Sequence, residues 1–170
     1  MITAKLIESP LGAIIPGYSD KGLVFLEFSS PEKASSDLEI LSRKLKCAIE
    51  IGEHPKLSDL ENQLKEYFAG KRQTFDLDFD FHGTDFQKSV WNILLKIPYG
   101  ETISYQKQAQ MLNNEKAIRA VAAANGANNL AIVVPCHRVI GKNGKLTGYA
   151  GGIEKKQFLL ELESKTLFDF

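Results

Sequence analysis

Apolar runs open the chain. ITAKLI (2–7), GAIIPGY (12–18) and LVFLEF (23–28) read as strands, with a turn at Asp20-Lys-Gly22 between the last two. Pro31 then opens a helical stretch to Lys46, with Leu38, Leu41 and Leu45 at helical spacing. A second helix is predicted from Ser58 to Ala69, with Leu60, Leu64, Tyr67 and Phe68 on one face and Gly70 as its stop. Phe75, Leu77 and Phe79 alternate with Asp76, Asp78 and Asp80, the period of a half-buried strand.

The pattern changes at His82-Gly83. Thr84 and Gln87 form a capping-box pair ahead of an apolar stripe of Phe86, Val90, Trp91, Leu94 and Leu95, and Pro98-Tyr-Gly100 breaks that helix. Ser104 can cap a helix to Leu112. Asn113-Asn114 makes a turn, and Asn114 can cap another helix over 115–125, the outline of a helix-turn-helix. In the second of these helices Ile118, Val121 and Ala122 can face a core, which puts Lys116, Arg119, Ala120, Ala123 and Ala127 on the opposite side. Ala131–Val134 reads as a short strand and Gly141-Lys-Asn-Gly144 as a hairpin turn. Phe158, Leu159 and Leu162 mark one face of a last helix. The fold class is therefore α+β: a lobe of small sheet and helices over 1–82, then a mostly helical lobe with a helix-turn-helix over 83–170.

Composition narrows the class. With 170 residues, 44% hydrophobic and 25% charged, the chain is neither disordered nor collagen-like. The longest uncharged stretch, Ala120–His137, contains Asn125, Asn128, Asn129 and Pro135 and does not read as a membrane span; no leader peptide is visible at the N-terminus. Two distant cysteines, Cys47 and Cys136, point to free thiols and a reducing, cytoplasmic compartment (nuclear in a eukaryote). The zero net charge divides unevenly, with −5 over residues 1–85 and +5 over 86–170. A basic second half suits an anionic partner such as nucleic acid, and ordinary scatter explains so small an excess equally well.

Cys136-His137 is the sharpest chemical pair. A thiol attacks only as thiolate, and an imidazole can take its proton. On an extended strand the two side chains would point to opposite faces, so their cooperation needs a bend at Pro135 or a bridging water. Alone, such a dipeptide is more often a buried structural cysteine. Cys47, among Lys44, Leu45 and Lys46, reads as a spectator. His54 and His82 have no partner at ligand spacing, so no metal site is expected. The small, basic face around Arg119 would let a helix approach a nucleic-acid groove closely, though an Ala-rich surface helix looks the same.

Taken together, GTDFQKSVW (83–91), IPYGETISY (97–105), RAVAAANG (119–126), IVVPCHRVIG (132–141) and GYAGG (148–152) closely resemble the O6-alkylguanine-DNA alkyltransferases. SPLG (9–12) and LKEYFAGK (64–71) extend the resemblance to the first lobe. The resemblance implies a ribonuclease H-like first lobe and a winged-helix-like second lobe that binds double-stranded DNA from the minor groove. It implies that Cys136 accepts the alkyl group of O6-alkylguanine, and of O4-alkylthymine, once and irreversibly. His137 would activate Cys136 through a water, Glu163 would orient His137, and Asn128 would brace the active-site turn. Tyr105 would sit beside the flipped base. Arg119 would fill the gap in the stack, with Lys116, Ala120 and Ala123 against the DNA. Val139 (by its carbonyl), Tyr149 and Ala150 (by its N–H) would form the alkylguanine pocket. No cofactor, metal, membrane or further subunit is implied, and cooperativity along DNA stays open. Some relatives carry zinc in the first lobe, and the lone Cys47 there leads us to expect none. Two other readings compete: a non-catalytic sensor that flips the base and recruits repair factors, and a Cys–His hydrolase. Cys136 separates the sensor from the transferase, because related lesion-binding proteins replace that cysteine.

Overall fold

The computed structural model describes residues 1–168, with side chains to Ser164. It divides into two compact units, Met1–His82 and Gly83–Phe170. The α+β class expected from the pattern is the one observed.

The first unit is a five-stranded sheet with two helices. Its strands are β1 (Ile2–Ala4), β2 (Ile7–Ser9), β3 (Gly12–Tyr18), β4 (Leu23–Phe28) and β5 (Ile49–Ile51); its helices are α1 (Ala34–Leu45) and α2 (Pro55–Phe68). The predicted strand 2–7 is two strands, both antiparallel to β3, with β4 also antiparallel to β3 and β5 parallel to β1. β3 is thus central and buried on both faces. Ile15 packs in the cluster with Leu41 of α1, while its neighbour Ile14 shares a groove with Leu64 and Phe68 of α2. Gly17 lies opposite Phe25, and a Cβ there would stand 2.3 Å from the Phe25 ring.

Helix α2 starts three residues before the predicted Ser58. Pro55 occupies its first turn, and His54 Nδ1 accepts from the Lys56 N–H (3.1 Å) as the cap. The predicted strand over 75–80 is not a ladder. Its alternating burial is real, but only Phe79 bridges to Leu23. At Asp76 the side chain of Gln63 takes the place of a neighbouring strand, bonding both the N–H (2.9 Å) and the carbonyl (3.1 Å).

The second unit comprises α3 (Asp85–Leu94), α4 (Tyr105–Met111), α5 (Ile118–Gly126) and α6 (Ile153–Phe168), with two short parallel strands, β6 (Ile103–Ser104) and β7 (Val139–Ile140). The Thr84–Gln87 capping box forms in both directions, at 3.1 and 2.9 Å, and Ser104 caps α4 at 3.0 Å. Asn114 makes no side-chain cap; a 3₁₀ turn over Glu115–Ala117 leads into α5, and Asn113 turns the chain in the left-handed region. Packing of α5 differs from expectation. Val121, Ala124 and Asn125 are buried, and Ile118 and Ala122 face outward. Contacts to α3 and α4 select that face: Trp91 Nε1 donates to the Ala124 carbonyl (2.8 Å), and Gln108 pairs with Asn125. Ala127 is half-buried, whereas Lys116, Arg119, Ala120 and Ala123 are exposed. On α6, Lys156, Leu159 and Glu163 form the buried stripe, and Phe158 is exposed. No described helix is long and apolar enough to cross a membrane.

Candidate active site

The strand predicted over Ala131–Val134 does not form. Asn128 folds this stretch into turns: its Oδ1 accepts from the Leu130 N–H (2.9 Å) and its Nδ2 donates to the Val134 carbonyl (2.9 Å). Val133 N–H bonds back to the Ala131 carbonyl around Ile132, whose φ of 72° is rare for a buried β-branched residue. A second tight turn closes around Pro135, from the Cys136 N–H to the Val134 carbonyl (2.8 Å). Cys136-His137-Arg138 then forms one 3₁₀ turn. The bend that thiol–imidazole cooperation requires is therefore built into the backbone, and strand alternation does not apply. Residues 141–145 close a tight loop through Gly141 N–H to the Lys145 carbonyl (2.8 Å) and form no hairpin, because β7 pairs with β6 instead.

Three buried groups follow from that turn. His137 Nε2 lies 2.8 Å from Glu163 Oε2. Arg138 grips the same carboxylate with Nε (2.9 Å) and Nη2 (3.0 Å), donates Nη1 to the Ile97 carbonyl (2.7 Å), and packs over the Tyr99 ring. Burial alone would raise the Glu163 pKa, but its bonds to His137 and Arg138 outweigh burial and hold it down at about 2. Burial pushes His137 below the usual imidazole range; Glu163 opposes this, and the Arg138 and Lys156 charges add to it. Glu163 is thus ionised and His137 neutral. The imidazole carries its proton on Nε2 and leaves Nδ1 as an acceptor. Nδ1 is buried and has no partner among the described residues.

Cys136 stands half-buried in a cleft of about 470 Å³ lined by Tyr105, Ala122, Asn125, Gly126, Thr147, Gly148, Tyr149 and Ala150. Burial pushes its thiol up, while a bond from Asn128 and the charge of Lys156 pull the other way. The resting sulfur therefore keeps its proton until a base takes it. Burial also raises Tyr149, beside Cys136. The structure brings Cys136, Tyr105, Tyr149 and Ala150 to one cleft and sets His137, Glu163 and Asn128 behind it. Val139 is fully buried and does not line the cleft; its carbonyl accepts from Lys156 Nζ (2.7 Å). Tyr105 Oη donates to the Thr147 carbonyl across 3.3 Å. Arg119 on α5 and Lys116 in the 3₁₀ turn before it are exposed and line no part of the cleft.

Sequence reasoning gave no role to Arg138 or Lys156. The Lys156 ammonium is fully buried, donates to the Val139 and Thr147 carbonyls (2.7 and 2.8 Å), and forms no ion pair among the described residues. The available signal was spacing: Lys156, Leu159 and Glu163 share one helical face. Among the described residues no cluster of three or more His, Cys, Asp or Glu could hold a metal. The groove by Ile14 and Phe68 contains neither thiol nor imidazole.

A thiol at a cleft floor, backed by a neutral imidazole and an ionised carboxylate, beside a helix-turn-helix, is the arrangement of a cysteine-nucleophile protein with a nucleic-acid-binding frame. Residues 85–165 match the DNA-binding domain of the 6-O-methylguanine DNA methyltransferases, and residues 2–81 match their ribonuclease-like domain. The methylated-DNA–protein-cysteine methyltransferase of Methanosarcina barkeri is 44% identical over 163 residues, covering 95% of this chain and 97% of that one. The enzyme of the same name from Mycobacterium tuberculosis is 56% identical over 114 residues, 64% of this chain and 69% of that one. The crystal structure of Mycobacterium tuberculosis OGT in complex with DNA superposes with a TM-score of 0.82 at 42% identity, covering 96% of this chain and 94% of that one. The chain belongs to the 6-O-methylguanine DNA methyltransferase family.

Proposed function

We propose that this protein repairs DNA by direct reversal, moving the alkyl group of O6-alkylguanine, and of O4-alkylthymine, onto Cys136. The alkylated edge lies inside the duplex, so the nucleotide must leave the stack, at a cost of a few kcal/mol. The exposed face of α5, with Arg119, Ala120 and Ala123, enters the minor groove of double-stranded DNA, flanked by Lys116 in the turn before it; its small side chains permit close approach, and Arg119 fills the vacated position. The protein works as a monomer in the cytoplasm, without metal or cofactor.

In the cleft, His137 Nδ1 takes the Cys136 proton through a water, the partner that a buried acceptor without a protein donor calls for. Glu163, held by Arg138, stabilises the imidazolium that results. The sulfur attacks the alkyl carbon; an S–C bond forms, the C–O6 bond breaks, and its electron pair stays on the base. The Ala150 N–H stabilises that oxygen, Tyr105 contacts the purine N3 or a phosphate, and the thiol's proton ends on the released guanine. As the family resemblance implies, the Val139 carbonyl accepts from the exocyclic amine, and Tyr149 packs over the base. The product is a thioether with no carbonyl for water to attack, so each chain acts once. Asn128 keeps the turn in place.

The observation that carries this reading is the cleft-floor thiol of Cys136 backed by the His137–Glu163 pair at 2.8 Å. The experiment is peptide mass mapping after incubation with duplex O6-methylguanine, which should find one methyl group, on the Cys136 peptide. Binding without any gain in mass would favour a lesion sensor.

A further inference from the structure

Gln108 and Asn125 form a closed amide pair between α4 and α5. Gln108 Nε2 donates to Asn125 Oδ1 (2.9 Å), and Asn125 Nδ2 donates to Gln108 Oε1 (2.8 Å). Gln108 is fully buried, but Asn125 keeps 8% of its surface and lines the cleft that holds Cys136 and Tyr105. An asparagine amide has two N–H donors and two lone pairs, and the pair consumes one of each. The other N–H and the other lone pair lie on opposite flanks of the amide, and the flank that borders the cleft is left for a ligand. The two reciprocal bonds also fix the plane of the Asn125 amide, so its remaining polar group is pre-set and costs no ordering when a ligand arrives. None of the steps above uses this group. Burying two primary amides where two apolar side chains would pack at less cost calls for a ligand that bonds the free polar group on the cleft side.

We infer that Asn125 is a base-reading residue, whose one free polar group on the cleft side hydrogen-bonds the everted base, and that Gln108 is its positioning residue. This rests on the transfer chemistry proposed above. It places the polar recognition of the base on the helix-turn-helix as well as on the 147–150 loop, so that the frame that opens the duplex also tests what has been everted.

The test separates base recognition from thiol reactivity. Rate constants for methylation of Cys136 are measured with free O6-methylguanine and with iodomethane, which reaches the same sulfur without presenting a base. The ratio of the two is compared in the unmodified chain, in Asn125→Leu, and in the double variant Gln108→Met/Asn125→Leu. The double variant leaves no amide unpaired and so guards against misfolding. The ratio should fall about tenfold in both variants, the worth of one hydrogen bond in a site closed to water. A gap of less than threefold, or equal slowing with both reagents, would overturn the inference. If the unmodified chain reacts with iodomethane but not with O6-methylguanine, the functional reading itself fails, and the two failures are thus distinct.

Discussion

His137 Nε2 and Glu163 Oε2 are 2.8 Å apart, and both side chains are shut away from solvent. Because Arg138 already neutralises the carboxylate, the imidazole can stay neutral beside it and still be stabilised when it gains a proton. Glu163→Gln should therefore slow transfer by about 100-fold and leave Arg138 buried without its counter-charge, at a cost of roughly 3 kcal/mol. Single-turnover kinetics and urea denaturation read the two effects. Full stability together with full activity would show that the pair is a bystander.

Two ionisations set the acid limit. The Glu163 pKa is depressed on folding, so its stabilisation is complete above the ordinary carboxylate pKa of about 4.3 and is lost as pH falls from there toward 2. His137 is also depressed. Its stabilisation is complete above the ordinary imidazole value of about 6.5 and declines as pH falls below it. Chemical denaturation between pH 8 and 3 should show stability falling in two stages, and His137→Gln should remove the upper one. A maximum near pH 5 would contradict the neutral, buried imidazole.

Lys156 donates to the carbonyls of Val139 and Thr147, and its charge favours the Cys136 thiolate. Lys156→Met should slow iodoacetamide labelling of Cys136 at neutral pH severalfold, because the thiolate loses the positive charge beside it. It should also raise hydrogen exchange over residues 141–150, which lose their tie to α6. Labelling at the original rate would leave Lys156 with a packing role alone.

Much of this was legible in the chain, and what was not has specific physical causes. The Thr84–Gln87 box and the Ser104 cap are local bonds between near neighbours, and both form as read. Glu163 carries no such signal, and only the family resemblance raised it. Lys156 drew no reading at all, because a buried ammonium satisfied by backbone carbonyls leaves no partner in the sequence. The stretch 131–134 read as a strand because nothing in Ile132 advertises a left-handed backbone; the Asn128 clamp imposes it. Residues 75–80 kept strand periodicity but lost the ladder to one distant side chain, Gln63. The inward face of α5 was misread because Ile118 is apolar yet exposed, while Asn125 is polar yet paired within the unit.

Arg119 makes no hydrogen bond or ion pair among the described residues and extends from the exposed face of α5. Arg119→Ala should slow repair of a duplex substrate at least tenfold more than reaction with free O6-methylguanine, since only the duplex needs its gap filled. Equal slowing on both would contradict the finger role.

Cys136→Ala should abolish transfer yet leave duplex affinity within about twofold, because α5 keeps its surface and the substitution lies in the cleft. Gel-shift titration with a methylated duplex checks this. Retained transfer would move the acceptor elsewhere.

The most direct measurement is a stoichiometric titration with a large excess of radiomethylated duplex, followed to completion. Label should plateau at one methyl per polypeptide, all of it on Cys136, with no further repair on longer incubation. Continued processing of lesion beyond one equivalent, or label on any other side chain, would contradict single-use transfer to that sulfur.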